Sequence, residues 1–204
     1  MLLTTPKFGE PLPITASPET LAFLAARRSA SAMTLHAPGP SADQLHILLS
    51  IAARAPDHGK LAPWRFVVLS GVNKDGFVAG LEAIAARSAD SSLVKKLGKL
   101  RTPPLAIAVI SRHIPGKIPE WEQRLSAGAV CTLLITAAQA MGYGANWITD
   151  WYAYDADARA LLGAAGEDQI AGFIYLGTPG DAPLERVRPD MEAIVETWAP
   201  VAIS

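Results

Sequence analysis

The stretch Leu125 to Ile148, LSAGAVCTLLITAAQAMGYGANWI, contains no charged side chain. Its length invites a membrane reading, since a span needs roughly 20 predominantly apolar residues. Ser126, Thr132, Thr136, Gln139 and Asn146 interrupt it, and Gly142-Tyr143-Gly144 breaks it. It therefore reads as the greater part of a central helix, Trp121 to Met141, buried on all sides. A short buried strand, Ala145 to Ile148, follows. The glycines either let the chain turn tightly there or let a flat ligand approach the backbone.

Outward from this run the pattern alternates. Ser17-Pro18-Glu19 is an N-cap with proline at the first helical position, and the helix behind it ends near Ser29. Ser41-Ala42-Asp43-Gln44 has the form of a capping box. Leu45, Leu48, Leu49 and Ala52 then share one helical face. Strands are expected at Arg65 to Leu69, Leu105 to Ile110 and Ile170 to Leu176, with helices at Asp75 to Arg87 and Asp155 to Leu162. Strands separated by helices predict an α/β-type, helix-covered sheet. Residues 1–17 read as an N-terminal extension, 18–204 as one domain, and the end of the chain as a proline-bearing tail.

With 204 residues, one core is expected. Half the residues are hydrophobic and only 18% are charged, so apolar surface is expected to be buried against another subunit or a large ligand. A net charge of −1 without a long basic run argues against nucleic acid. The beginning of the chain lacks the basic start and apolar stretch of a signal peptide. A single cysteine, Cys131, suits a reducing compartment, and the cytoplasm is the expected location.

No metal is expected: His36, His46, His58 and His113 show no paired spacing, and CxxC and HExxH are missing. Cys131, in the middle of an apolar helix, reads as a buried structural thiol. There is no GxSxG elbow and no Walker A sequence. Gly142-Tyr143-Gly144 lacks the third glycine of a dinucleotide fingerprint and lies between a helix and a strand, the reverse of the required order.

Three clusters carry chemistry. Arg27-Arg28-Ser29 offers two guanidinium forks and a hydroxyl, which suit a phosphate monoester, or else simply complement a helix C-terminus. Arg54-Ala55-Pro56-Asp57-His58-Gly59-Lys60, followed by Pro63-Trp64-Arg65-Phe66, is a charged loop before a buried strand. Asn146-Trp147-Ile148-Thr149 places a tryptophan where it either flanks an aromatic ligand or packs in the core.

In this order and spacing the clusters resemble the FMN-dependent nitroreductase family, in particular its short bacterial YdjA-like branch. Ser126-Ala127-Gly128, Trp121-Glu122-Gln123 and Gly172-Phe173-Ile174-Tyr175-Leu176-Gly177-Thr178-Pro179 add to the likeness, which spans roughly residues 18 to 180. It implies an α+β, three-layer fold with a mixed central sheet flanked by helices, dimerised over an apolar surface, with two FMN sites at the interface. By position Arg27, Arg28 and Ser29 match the stretch that holds the FMN phosphate and ribityl chain. Arg54 and His58 match positions that reach FMN from the other subunit. Trp147, Ile148 and Thr149 match the second flavin segment. Ala137, Ala138, Gln139, Ala140, Met141 and Gly142 match a stretch assigned to the nicotinamide cofactor.

The sequence departs from that branch after Trp147, where Ile148 and Thr149 stand in place of a basic residue. Arg186 and Arg188 are the candidates to replace the contact. The resemblance implies a cytoplasmic homodimer in which NADPH or NADH and a small electron acceptor, such as a nitroaromatic or quinone, bind FMN's cleft in turn. No side chain is assigned as general acid or base. A non-catalytic flavin-binding dimer, or a family enzyme acting on another substrate such as flavin itself, remains open.

Overall fold

The computed structural model describes residues 6–200; the first five residues of the expected extension and the last four of the tail lie outside them. Helix α1, Pro18–Ala25, is capped by Ser17, whose side chain accepts from the Thr20 N–H, with proline at its start. It is shorter than expected, ending before Arg27. Helix α2, Ala42–Ala52, has the reciprocal capping box between Ser41 and Gln44 and buries Leu48 and Ala52. The strands are β1 (Leu35–His36), β2 (Trp64–Ser70), β3 (Leu105–Ser111), β4 (Gly144–Ile148) and β5 (Gln169–Pro179). Helices α3 (Gly71–Ala85), α4 (Ser92–Lys96) and α5 (Gly98–Arg101) lie between β2 and β3; α6 (Glu120–Ala140) and α7 (Ala156–Leu161) follow, and α8 (Met191–Ile194) lies in the tail.

β5 is the centre of the sheet. It pairs with β3 along one edge and with β4 and β1 along the other, and β2 pairs with β3. All four pairings are antiparallel, where the resemblance implied a mixed sheet and the alternation an α/β type. The reason lies in the connections. Ser70 at the end of β2 is the register partner of Leu105 at the start of β3, so the intervening helices bring the chain back to the end of the sheet it left. A parallel crossover would have delivered it to the opposite end.

Two apolar layers sandwich the sheet. Leu81, Leu100, Tyr152, Phe173 and Tyr175 pack on the face covered by α3, α5 and α7. Leu48, Val130, Leu134, Ile174 and Leu176 pack on the face covered by α2 and α6. Lys74 of α3 is buried and donates to the carbonyls of Arg101 and Pro103, and burial pushes its ammonium below the usual lysine range. These bonds hold the end of α5 against the start of β3.

Tyr152 and Tyr175 are fully buried, and their hydroxyls meet at 2.6 Å. Burial pushes both phenols well above the usual tyrosine range, so they act as a neutral hydrogen-bonded pair. Tyr152→Phe strands the Tyr175 hydroxyl in the core and should cost about 1–3 kcal/mol, whereas removing both hydroxyls should cost less than the sum of the single changes. Urea denaturation of the two single variants and the double one measures this; additive losses would show that the hydroxyls do not depend on each other.

The central helix is not buried on all sides. Ser126, Ala127, Val130, Cys131, Leu134 and Ala138 face the core, but Trp121, Leu125, Thr132 and Ala140 are exposed along the opposite stripe. Thr132 and Thr136 turn their hydroxyls onto the carbonyls four residues back in their own helix, at 3.2 and 2.7 Å, which satisfies them there. Beside this stripe, α1, α2 and α6 form an apolar groove of about 470 Å³ lined by Phe23, Leu24, Ile51, Leu133, Ala137 and Met141. No helix among the described residues is long and apolar enough to cross a membrane. Cys131 is fully buried, and burial raises its thiol to about 12, as a structural cysteine requires.

Gly142 has φ +85 and ends α6, with the Tyr143 N–H bonded to the Ala138 carbonyl. At Gly144 a Cβ would lie 2.5 Å from Leu35 Cδ2 and 3.1 Å from Pro179 Cβ. Of the two readings of these glycines, the tight turn holds at Gly142, and protein rather than ligand comes close at Gly144.

Candidate functional site

The first cluster lies where the chain leaves α1. Arg27 Nη1 donates to Ser29 Oγ at 3.3 Å, and both arginines are half-buried. The third cluster is next to it. Ala30 N–H donates to the Ala145 carbonyl at 3.0 Å, the Asn146 amide donates to the Ala30 carbonyl, and Gln139 donates to the Arg28 carbonyl. Sequence positions more than a hundred residues apart thus form one wall, with Arg28, Ser29, Ser31, Asn146 and Leu184 among the residues lining a cavity of about 600 Å³. Gln139 Oε1 and Asn146 Oδ1 are buried without a hydrogen-bond partner among the described residues.

The tail completes this wall. Arg28 Nε donates to the Leu184 carbonyl at 2.7 Å, and Arg188 Nη2 donates to the Arg27 carbonyl at 3.1 Å. Arg188 also pairs with Glu185, whose carboxyl is held below the usual range by the Arg186 backbone N–H and by Arg188. Of the two candidates for the missing basic contact, Arg188 is the one joined to the first cluster.

Trp147 is 37% exposed and sits across β5. Between Gly172 and Ile170 the β3–β5 register shifts, leaving Ala171 as the extra residue of a bulge. The Trp147 indole donates to the Ala171 carbonyl at 3.1 Å, and a Cβ on Gly172 would fall 1.9 Å from its nitrogen. Gly172 exists to seat this ring. Thr149 Oγ1 meets the Tyr154 hydroxyl at 2.7 Å, and Ile148 packs against the core on the other face of the sheet.

The nicotinamide-matching stretch is split by its helix. Ala137 and Ala138 are buried, Ala137 and Met141 line the apolar groove, and Ala140 and Gly142 are exposed.

The second cluster lies elsewhere. Arg54 and His58 are exposed, and no hydrogen bond or ion pair among the described residues joins them to Arg27, Arg28 or Trp147. The first turns of α6 hold their loop. Ser126 Oγ donates to the Pro56 carbonyl at 2.7 Å and accepts from Trp64 Nε1 at 3.1 Å. Asp57 accepts from the Leu61 and Ala62 N–H groups. Gln123, buried, bonds Ile114 and Ile118 on the neighbouring loop, and Glu122 Oε2 meets His58 Nδ1 at 2.6 Å. Glu122, Gln123 and Ser126 belong to the family-like stretches of the sequence, but nothing in their pattern gives them a task. The only signal was polar residues at the start of an otherwise apolar helix.

Ser126→Ala removes both hydrogen bonds of this clamp at once. It should cost about 1–3 kcal/mol, because the Trp64 N–H and the Pro56 carbonyl lose their bonds together. A thermal melt a few degrees lower is expected; an unchanged melt would show that the clamp contributes nothing.

A family model described as the nitroreductase family matches residues 24–178. The chain belongs to the nitroreductase family. It is 38% identical over 164 residues to the YdjA protein of Escherichia coli strain K12, provisionally named an NAD(P)H nitroreductase; the match covers 79% of this chain and 88% of that one. In fold it is similar to a nitroreductase-like family protein from Bacillus cereus, with a TM-score of 0.76 at 20% identity, covering 91% of this chain and 98% of that one. A Bacteroides fragilis nitroreductase with bound FMN matches with a TM-score of 0.67 at 20% identity, covering 90% and 100% of the two chains. The family match begins after the first seventeen residues and ends before the tail, so Arg188 lies outside it while Arg27, Arg54 and Trp147 lie within.

Proposed function

We propose that this member of the nitroreductase family is an FMN-dependent oxidoreductase that takes hydride from NADPH or NADH and passes it to a small acceptor, such as a nitroaromatic or quinone, as a homodimer. The observation that carries the reading is the wall formed by Arg28 and Ser29 with Asn146, with the Arg27 guanidinium bonded to Ser29 beside it. Two guanidinium groups and a hydroxyl match one phosphate, and the unpartnered Asn146 Oδ1 suits a polyol hydroxyl, so the residues fit FMN. Nothing at this wall suits an adenosine half. Relatives named for NAD(P)H and neighbours with bound FMN support the same reading.

Bound FMN supplies the hydride chemistry. The chain's own work is to bind, orient and exclude water. Arg27, Arg28 and Arg188 would hold the phosphate, with Ser29 beside it, and the half-exposed Trp147 indole would flank the ring.

The length of α6 favours two copies. Gln139 holds the Arg28 segment at one end of α6, and Glu122 holds His58 at the other, about 25 Å away at 1.5 Å per residue. With the clusters tied to opposite ends of the helix, a flavin that uses both is better served by drawing them from different chains. The uncharged stripe of α6 and its groove offer the apolar face such a pair needs.

The purified protein should be yellow and should release FMN, not FAD, on heating. It should consume NAD(P)H with a quinone, giving parallel double-reciprocal lines. A colourless protein that takes up no added FMN would overturn the reading, and FMN binding without turnover would leave a flavin-binding dimer in its place.

A further inference from the structure

We infer that Glu122 is a positioning residue that sets the orientation and tautomer of His58, and so fixes which ring nitrogen meets the cofactor. This rests on the reading that His58 reaches FMN.

The pair is 2.6 Å between Glu122 Oε2 and His58 Nδ1, with the side chains 43% and 62% exposed. An exposed pair of this kind adds little to stability, too little to account for the construction around it. That construction is extensive. The competing cation on the same helix, Arg124, is engaged by Glu120, which leaves Glu122 to His58. Asp57, the carboxylate next to the histidine, is committed to the Leu61 and Ala62 N–H groups. Ser126 fixes Pro56 two residues before the ring, and Ile118, tethered through its carbonyl to Gln123, lies 3.3 Å from the place of a Cβ on Gly59 just after it. The loop is held on both sides of His58, and Glu122 is the group that holds the ring itself.

An ionised carboxylate only accepts, so Nδ1 must carry the proton it donates. In the neutral ring Nε2 then holds a lone pair. That makes the free nitrogen an acceptor, suited to a hydroxyl or N–H of the ligand and unsuited to phosphate oxygens. His58 therefore addresses the ribityl or ring portion of FMN, and Arg27 and Arg28 its phosphate.

The test compares wild type, Glu122→Gln, Glu122→Ala, His58→Ala and the Glu122→Ala/His58→Ala double variant of the full chain. The readouts are FMN titration and ¹⁵N spectra of labelled histidine, His58 being assigned by its loss in His58→Ala. Wild type should show the Nδ1–H tautomer of the neutral ring. In Glu122→Gln, where the amide can accept or donate, and in Glu122→Ala, population should move to the Nε2–H tautomer. FMN Kd should rise about five- to tenfold in Glu122→Ala, the scale of one hydrogen bond. Glu122→Ala should add nothing in the His58→Ala background. An unchanged tautomer, or an equal loss in both backgrounds, overturns the proposal, the second because Glu122 would then act on the fold and not through the ring. His58→Ala with full FMN affinity removes His58 from the site and the proposal with it. His58→Ala weakened while Glu122→Ala is silent leaves the site reading standing and overturns the role of Glu122 alone.

Discussion

Refolding Arg27→Ala and Arg54→Ala chains together is expected to restore tight FMN binding to about a quarter of the sites, where neither parent has any. Each single change removes a charged contact at a cost of about 2–5 kcal/mol, a loss of about thirtyfold or more in affinity. In a mixed dimer with shared sites, one site combines both defects and the other has none. Half the refolded dimers are mixed and each has one intact site, which gives the quarter. The structural ground is the position of the two arginine segments, one held by Gln139 and the other joined through its loop to Ser126 and Glu122. FMN titration of the refolded mixture reads the stoichiometry. If no tight sites appear, the two arginines do not meet across an interface.

Gly172→Val should be among the most damaging single changes in the sheet. Its Cβ would lie 1.9 Å from Trp147 Nε1 and 2.3 Å from Cδ1, on the central strand, where the backbone cannot retreat. The indole has to leave, giving up its bond to the Ala171 carbonyl and exposing the face it covered. A loss of about 3 kcal/mol is expected, with FMN affinity falling alongside it. Trp147→Ala in the same chain removes the clash, so the double variant should be more stable than the sum of the two changes predicts. Thermal or urea denaturation of the three variants decides this; strict additivity would mean that the ring is free to rotate away.

Elements with a local cause were legible in the sequence. The Ser17 cap with Pro18, the Ser41–Gln44 capping box and the strands β2, β3 and β5 fell within a few residues of their expected places, though β2, expected to be buried, is mostly half-buried. Strand direction was not legible. It depends on which end of the sheet the intervening helices return the chain to, and α4 and α5, of 5 and 4 residues, are too short to show a period. β1, of two residues, had the same fault. The exposed stripe of α6 was hidden for another reason: its residues are as uncharged as those of the buried side, so composition could not tell the faces apart.

The site was legible as residues and illegible as a constellation. Arg27-Arg28-Ser29 and Asn146-Trp147 stood out by chemistry, and the structure joins them through Ala30, Ala145 and Gln139. Glu122 and Ser126 act on residues more than sixty positions away, at His58 and Pro56, and no local pattern encodes such a pairing. The bulge at Ala171 likewise has meaning only once Trp147 lies over it.

The threonines of α6 have one more consequence. With their hydroxyls spent on Gly128 and Thr132, no charged residue from Leu125 to Ala140, and Cys131 turned into the core, the exposed stripe there has nothing for protons to titrate or for salt to screen. A contact made along it is not weakened by charge screening, whereas an anion held by the guanidinium groups at the end of α1 would be released as ionic strength rises. Raising sodium chloride would thus loosen an anion at the charged end without loosening an apolar contact along α6, so the two kinds of attachment would be separable in the same sample.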